Sequence, residues 1–166
     1  FYLGNVLLHF DHKIIAERLA AYCPVLSPQS DFSTDLSALV AGFERGQMDE
    51  NKFFTELSRE LHLDSDLSRK EFDTLWAEIF WKNDQLVDML PKLNQTISLH
   101  MLSNTNALHI KYAKRAFPEV FKPFSSETLS YEVGMAKPDP QIFSQIVDKT
   151  GFSPKEFLYF DDILAY

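Results

Sequence analysis

The chain is nearly without cysteine: Cys23 is the only one among 166 residues. No intrachain disulfide can form, so a reducing, cytoplasmic setting is the expectation. No His or Asp stands at a spacing that would activate the Cys23 thiol, and the residue reads as a buried apolar filler. Basic charge is also scarce. Sixteen Lys and Arg face 24 Asp and Glu for a net charge of −8, and they form no dense run, which argues against a nucleic acid or an anionic membrane as partner. The apolar opening, residues 1–10, lacks the basic flank and small-residue cleavage site of a signal peptide and is far too short to span a bilayer. It reads as a buried strand entering a loop. His9, His12, His62, His100 and His109 are scattered without metal-ligand spacing, and His100, inside an apolar run, reads as a satisfied packing residue. There is no internal repeat and no low-complexity tract.

What is present is enough for one well-formed core with a small inserted subdomain: 45% apolar residues, 24% charged, and fifteen phenylalanines. Residues 12–84 read as helix after helix. Ile14, Ile15, Leu19 and Tyr22 recur at helical spacing before Pro24 and Pro28 close the segment. Asp49 is a plausible N-cap for a helix lined by Phe53, Phe54, Leu57 and Leu61. Ser68 with Glu71 has the capping-box pattern ahead of Phe72, Leu75, Trp76, Ile79 and Phe80. The stripe Phe72, Trp76, Phe80, Trp81 is expected to be packed interior.

From residue 86 the pattern changes to a helix over 86–93, then short apolar runs separated by helices. Strands are expected at 97–102, 120–124 and 157–160, and helices at 107–117 and from Pro140 through Val147, the latter capped by Asp139. Ser153 and Glu156 cap a short turn. Alternating strands and helices predict an α/β fold, a Rossmann-like parallel sheet with right-handed crossovers. The chemistry of such a sheet gathers at the carboxyl ends of its strands. Three segments stand there: Leu102-Ser103-Asn104-Thr105, the Lys137 loop that opens a helix, and Asp161-Asp162 at the end of an apolar run.

Each segment is weak alone, but their order is not. The opening FYLGNVLLHFD, then Ser103-Asn104-Thr105, then Gly134-Met135-Ala136-Lys137-Pro138-Asp139-Pro140-Gln141-Ile142-Phe143, then Phe160-Asp161-Asp162, resembles the haloacid dehalogenase-like (HAD) hydrolases over nearly the whole chain. Within them it is similar to the phosphatase-type branch with a helical cap inserted after the first strand. The resemblance implies a core of residues 1–11 and 85–166, an all-helical cap over 12–84, a small phosphorylated metabolite as substrate and Mg2+ as cofactor. It implies phosphate contact by Ser103 and Asn104 and charge neutralisation by Lys137. Asp161 would be a direct metal ligand, Asp162 a water-mediated one, and the Gly4 carbonyl a further one. Asp11 is the nearest carboxylate for a proton donor at the cap hinge, against a plain role at the start of the helix.

The departures from the family pattern are as telling. Tyr2 stands where the family has the aspartate that attacks phosphorus and also binds metal, so one substitution removes two roles. Tyrosine is larger than aspartate and mostly protonated at neutral pH. Tyr166 stands where the branch has asparagine, and both chain ends read as clipped relative to the family. Two functions compete: a magnesium-dependent phosphatase impaired by Tyr2, and a catalytically inactive HAD-fold protein acting through anion or partner binding.

Overall fold

Short apolar runs too brief to be stable alone are gathered here by a four-stranded path. The computed structural model describes residues 1–23 and 36–165. Strand β1 (Leu8–Phe10) pairs antiparallel with β2 (Phe80–Lys82), Phe10 opposite Phe80. This ribbon carries the chain out of the sheet half and back. Between its strands run α1 (Lys13–Leu19), α2 (Ser37–Glu44), α3 (Glu50–Leu61) and α4 (Arg69–Ala77). Asp49 caps α3 by accepting from Lys52 N–H, and Ser68 with Glu71 forms the complete capping box of α4. These helices pack on aromatic rings: Phe43 stacks on Phe53 at 4.1 Å between centroids, and Trp76 meets Phe53 edge-on at 4.7 Å. Cys23 is buried against α3, its thiol donating to Leu61 O.

After β2 come two short helices, α5 (Asp84–Val87) and α6 (Leu90–Leu93), then β3 (Leu99–Ser103), α7 (Ala107–Ala116) and α8 (Pro118–Phe121). Strand β4 (Phe124–Leu129), α9 (Ser130–Val133) and α10 (Pro140–Thr150) follow, and a single 3-10 turn, Pro154–Glu156, carries the capping box of Ser153 and Glu156. Strands β3 and β4 are parallel. The other side of β3 takes the opening residues: Phe1 N donates to His100 O at 2.9 Å, and Leu102 N donates to Phe1 O at 3.0 Å, the spacing of a parallel ladder. Tyr2 N in turn donates to Phe160 O at 2.9 Å. The order across the sheet is therefore β4, β3, residues 1–2, residues 157–160. Ser103, Tyr2 and Asp161 reach the same edge of that sheet. Among the described residues no helix is long and apolar enough to cross a membrane.

Several expectations are corrected. The helix over the aromatic stripe stops at Ala77, where Glu78 leaves helical geometry, and Phe80 enters β2 instead; Trp81 faces solvent at 48% exposure. A three-residue strand thus closes a segment expected to be helical throughout. The expected helix over 86–93 is two helices, with Pro91 early in the second. Val120 is helical because Pro118 restarts a helix, which moves the strand to 124–129. Residues 157–160 run beside Tyr2 but form no regular strand. Pro24, Pro28 and Tyr166 lie outside the described residues.

The helical half approaches the sheet half closely at Gly46, as well as along α4 and α7. Gly46 has φ +65, and a Cβ there would stand 2.1 Å from the Tyr131 carbonyl oxygen. Only glycine fits, for both reasons.

Candidate active site

Lys137 organises the strand ends. Its side chain is 0% exposed, and its ammonium pairs with the Asp161 carboxylate, whose side chain is 7% exposed. Tyr159 stitches the pair: Lys137 Nζ donates to Tyr159 Oη at 2.9 Å, and that hydroxyl donates to Asp161 Oδ2 at 2.6 Å. Asp161 Oδ1 also accepts from Ile163 N–H at 2.9 Å. Burial pushes the Lys137 ammonium below its ordinary pKa against the pull of Asp161. Burial would raise Asp161, but its bonds from Lys137, Tyr159 and Ile163 outweigh that and hold it below the usual carboxylate range.

The backbone of Lys137 is fixed by Asn104. The amide oxygen of Asn104 accepts from Lys137 N–H at 2.8 Å, and its Nδ2 donates to Lys137 O at 3.0 Å. Asn104 lines the cleft beside Tyr2, and its side-chain amide is bonded to the backbone of the lysine. Ser103 is buried and gives only a 3.4 Å bond to Asn104 O, so its hydroxyl is weakly engaged. Ser130 Oγ pins the turn that follows, accepting from Thr105 N–H and donating to Thr105 O.

Tyr2 covers this arrangement. Lys137 Nζ sits 3.6 Å from the centroid of the Tyr2 ring, a close cation–π contact. The outer side of the same residue lines a cleft of about 50 Å³, together with Leu3, Gly4, Ser103, Asn104 and Thr105. The rest of the lining is Phe10, His12, Glu44 and Phe80 from the helical half and its root, and His109 from α7. Neither Lys137 nor Asp161 reaches the cleft wall. Gly4 belongs there because a Cβ would meet Phe10 Cε1 at 2.6 Å and Tyr2 Oη at 3.0 Å. A larger apolar hollow of about 670 Å³, lined by Ile97, His100, Phe152 and Leu158 among others, lies away from Ser103 and Lys137. It offers no convergent charge, so the smaller cleft is the candidate site. His100 is satisfied at Nδ1, 2.8 Å from Ser126 Oγ, while its buried Nε2 has no hydrogen-bond partner among the described residues.

The remaining expected residues stand apart. Asp11 is exposed, and its carboxylate accepts from Lys13 N–H at 2.9 Å at the start of α1; it does not line the cleft. Asp162 is exposed and accepts from Asn5 Nδ2 at 3.1 Å. Among the described residues no three His, Cys, Asp or Glu side chains gather where a metal ion could sit. With Asp161 committed to Lys137 and Tyr159, the residues present do not fit a magnesium site, and position 2 is where the next carboxylate would be needed. Sequence reasoning missed Tyr159, although it precedes Asp161 by two residues in an extended run and so shares its face. It also missed Glu44 and His12 in the cleft lining, which no local pattern marks.

The profile of the family described as haloacid dehalogenase-like hydrolase matches residues 3–165. A curated D-ribitol-5-phosphate phosphatase of Bacteroides thetaiotaomicron is 29% identical over 103 residues, 58% of this chain, and this chain spans only half of that protein's length. A HAD family enzyme of the same organism, solved as a magnesium complex, superposes with a TM-score of 0.84 at 27% identity, covering 99% of this chain and 82% of that one. A predicted HAD-like family hydrolase from Porphyromonas gingivalis gives a TM-score of 0.82 at 27% identity, covering 99% and 81%.

Proposed function

The chain belongs to the haloacid dehalogenase-like hydrolases, and from that premise we propose that it is built as a phosphohydrolase of small phosphorylated metabolites whose reaction is shut at position 2. In this reading residues 1–11 and 85–166 are the core and residues 12–84 the cap of a cytoplasmic protein. The Ser103 hydroxyl and the Asn104 N–H hold phosphoryl oxygens, and Lys137 neutralises their charge. Asp161 and Asp162, with the Gly4 carbonyl, are the remnants of a magnesium site. Asp11 serves the leaving oxygen only if the α1 start rearranges, since its carboxylate is bonded to Lys13 N–H. A sugar-alcohol phosphate, the substrate class in the name of the Bacteroides relative, is the substrate class we favour.

The observation that carries the reading is the buried Lys137–Asp161 pair beside Ser103. An ion pair at this depth is weak evidence of stabilisation, whereas a fixed charge behind an anion cleft is what phosphoryl transfer requires. The ring of Tyr2 over Lys137 favours a second reading, a catalytically inactive member acting through anion or partner binding. Turnover of p-nitrophenyl phosphate with magnesium decides between them. The chain as written should release no appreciable phosphate, and Tyr2→Asp should restore both hydrolysis and magnesium binding. A Tyr2→Asp protein that folds, binds magnesium and stays inert on a broad phosphate panel makes the second reading the better one.

A further inference from the structure

The cleft is lined from both halves of the molecule, and only part of that lining belongs to the phosphate end. Apart from Ser103 to Thr105, the polar side chains of the lining are His12 and Glu44 from the helical half and His109 from α7. His109 is spent: Asn106 Oδ1 accepts its backbone N–H, Asn106 Nδ2 donates to its Nδ1 at 3.0 Å, and its Nε2 donates to Trp76 O at 3.2 Å. Glu44 is the opposite case. Among the described residues its carboxylate has no hydrogen bond or ion pair; the adjacent Arg45 donates to Ala41 O at 3.4 Å, and its charge acts on Glu44 without pairing with it. It is also the last residue of α2, where the helix dipole disfavours negative charge. Burial raises its pKa. A carboxyl that has no partner among the described residues and lines the same cleft as Ser103 is a group open to hydrogen-bond donors.

We propose that Glu44, with His12 beside it, reads the non-phosphate end of the ligand and selects phosphate monoesters with an uncharged, hydroxyl-bearing leaving group over those that carry a second anion. Hydroxyls satisfy the Glu44 oxygens; a second carboxylate faces like charge in a desolvated cleft. With Tyr2 in place the cleft holds little more than a few water molecules, so the selection applies once position 2 is small. The inference rests on the phosphohydrolase reading of the site but is tested apart from it.

The test is calorimetric titration, with magnesium present, of Tyr2→Ala and Tyr2→Ala/Glu44→Gln with glycerol 3-phosphate, 3-phosphoglycerate and phosphoethanolamine. The first two differ essentially in one neutral hydroxymethyl against one carboxylate. Glycerol 3-phosphate should bind at least about tenfold tighter than 3-phosphoglycerate to Tyr2→Ala, and Glu44→Gln should shrink that ratio to about threefold or less. An unchanged ratio overturns the proposal, as does 3-phosphoglycerate binding as tightly as phosphoethanolamine, or no binding of any of the three. If Tyr2→Ala does not fold by circular dichroism, KM values in the Tyr2→Asp background report the same ratio, and Tyr2→Ser replaces it for titration. Hydrolysis of p-nitrophenyl phosphate by Tyr2→Asp with no Glu44-dependent ratio sinks this inference alone. A Glu44-dependent ratio with an inert Tyr2→Asp sinks the phosphatase reading alone.

Discussion

The seam between the helical and sheet halves and the cluster at the strand ends each bury one titratable cation-former, and they treat it in opposite ways. At the seam His109 is kept neutral. Asn106 caps α7 with its amide oxygen on His109 N–H, which fixes the amide so that Nδ2 donates to the ring and leaves no place for a second ring proton. At the strand ends Lys137 is instead given an anionic partner: burial pushes its pKa down, Asp161 pulls the other way, and Tyr159 bridges the two. A neutral, fully bonded imidazole is an inexpensive way to join two layers. A buried ammonium and carboxylate are a costly one, and hydrophobic residues of similar volume would serve stability at least as well. The difference separates a structural joint from a site held ready for an anion.

The largest effect expected from breaking the cluster is chemical. Losing a covalent nucleophile typically costs on the order of 10⁴-fold or more in turnover, so Tyr2→Asp should raise phosphate-ester hydrolysis by at least that order, read as phosphate release with magnesium. Equal turnover by the unaltered chain would show that another group attacks and that position 2 has been misassigned. The next effect is on stability. Lys137→Met leaves Asp161 buried without its cation and should cost about 3–5 kcal/mol in urea unfolding at neutral pH. Lys137→Met/Asp161→Asn should recover most of that loss. If Lys137→Met alone unfolds like the parent, the pair is not the charged cluster described above.

The contrast was only half legible in the sequence. Caps and periodicity located α3, α4, α7 and α10 because local rules decide them: Asp49, Ser68 with Glu71, and Asp139 before Pro140 all cap as their spacing implies. The Ser103, Lys137 and Asp161 segments were legible because each ends or follows an apolar run, and the sheet brings such ends together. What local pattern could not carry was tertiary. Phe80 continues a helical stripe by spacing, yet pairs with Phe10 from far away in the chain. Asn104 reads as a ligand contact from its place in a turn, yet its amide is spent on a backbone 33 residues distant. Glu44 and His12 acquire meaning only from sharing a cleft with Ser103, far away in the chain.

At the seam the test is pH. His109 is buried with its pKa pushed down to about 3 by desolvation first and by the neighbouring His12 second, from an ordinary value of 6.5. The unfolded chain therefore binds the extra proton over the range between those values, and the native state does not. Stability from this group is complete above pH 6.5 and is lost as pH falls toward 3, at about 1.4 kcal/mol per pH unit. Urea midpoints measured from pH 7 to 4 should drop accordingly, and His109→Gln should flatten the slope by one proton. A slope unchanged in His109→Gln would assign the acid sensitivity to carboxylates elsewhere and remove the seam from the comparison.

The smallest effect concerns Asn104, which joins neither the charge nor the seam but holds Lys137 by its peptide group. Asn104→Ala removes two neutral hydrogen bonds and leaves a partly buried N–H and C=O to find water, worth about 1–2 kcal/mol of stability. If the side chain touched the phosphoryl group, its loss would mainly weaken phosphate binding. If it positions Lys137, the ammonium loses its fixed relation to Ser103, and in the Tyr2→Asp background kcat should fall about tenfold with KM little changed. Asn104→Asp sharpens the distinction. It keeps an acceptor for Lys137 N–H, loses the donor to Lys137 O, and adds a negative charge close to the lysine. A positioning role predicts that Asn104→Asp retains more kcat than Asn104→Ala despite that charge, whereas direct phosphate contact predicts the reverse order, because a carboxylate beside the phosphoryl oxygens repels what the amide would have bound.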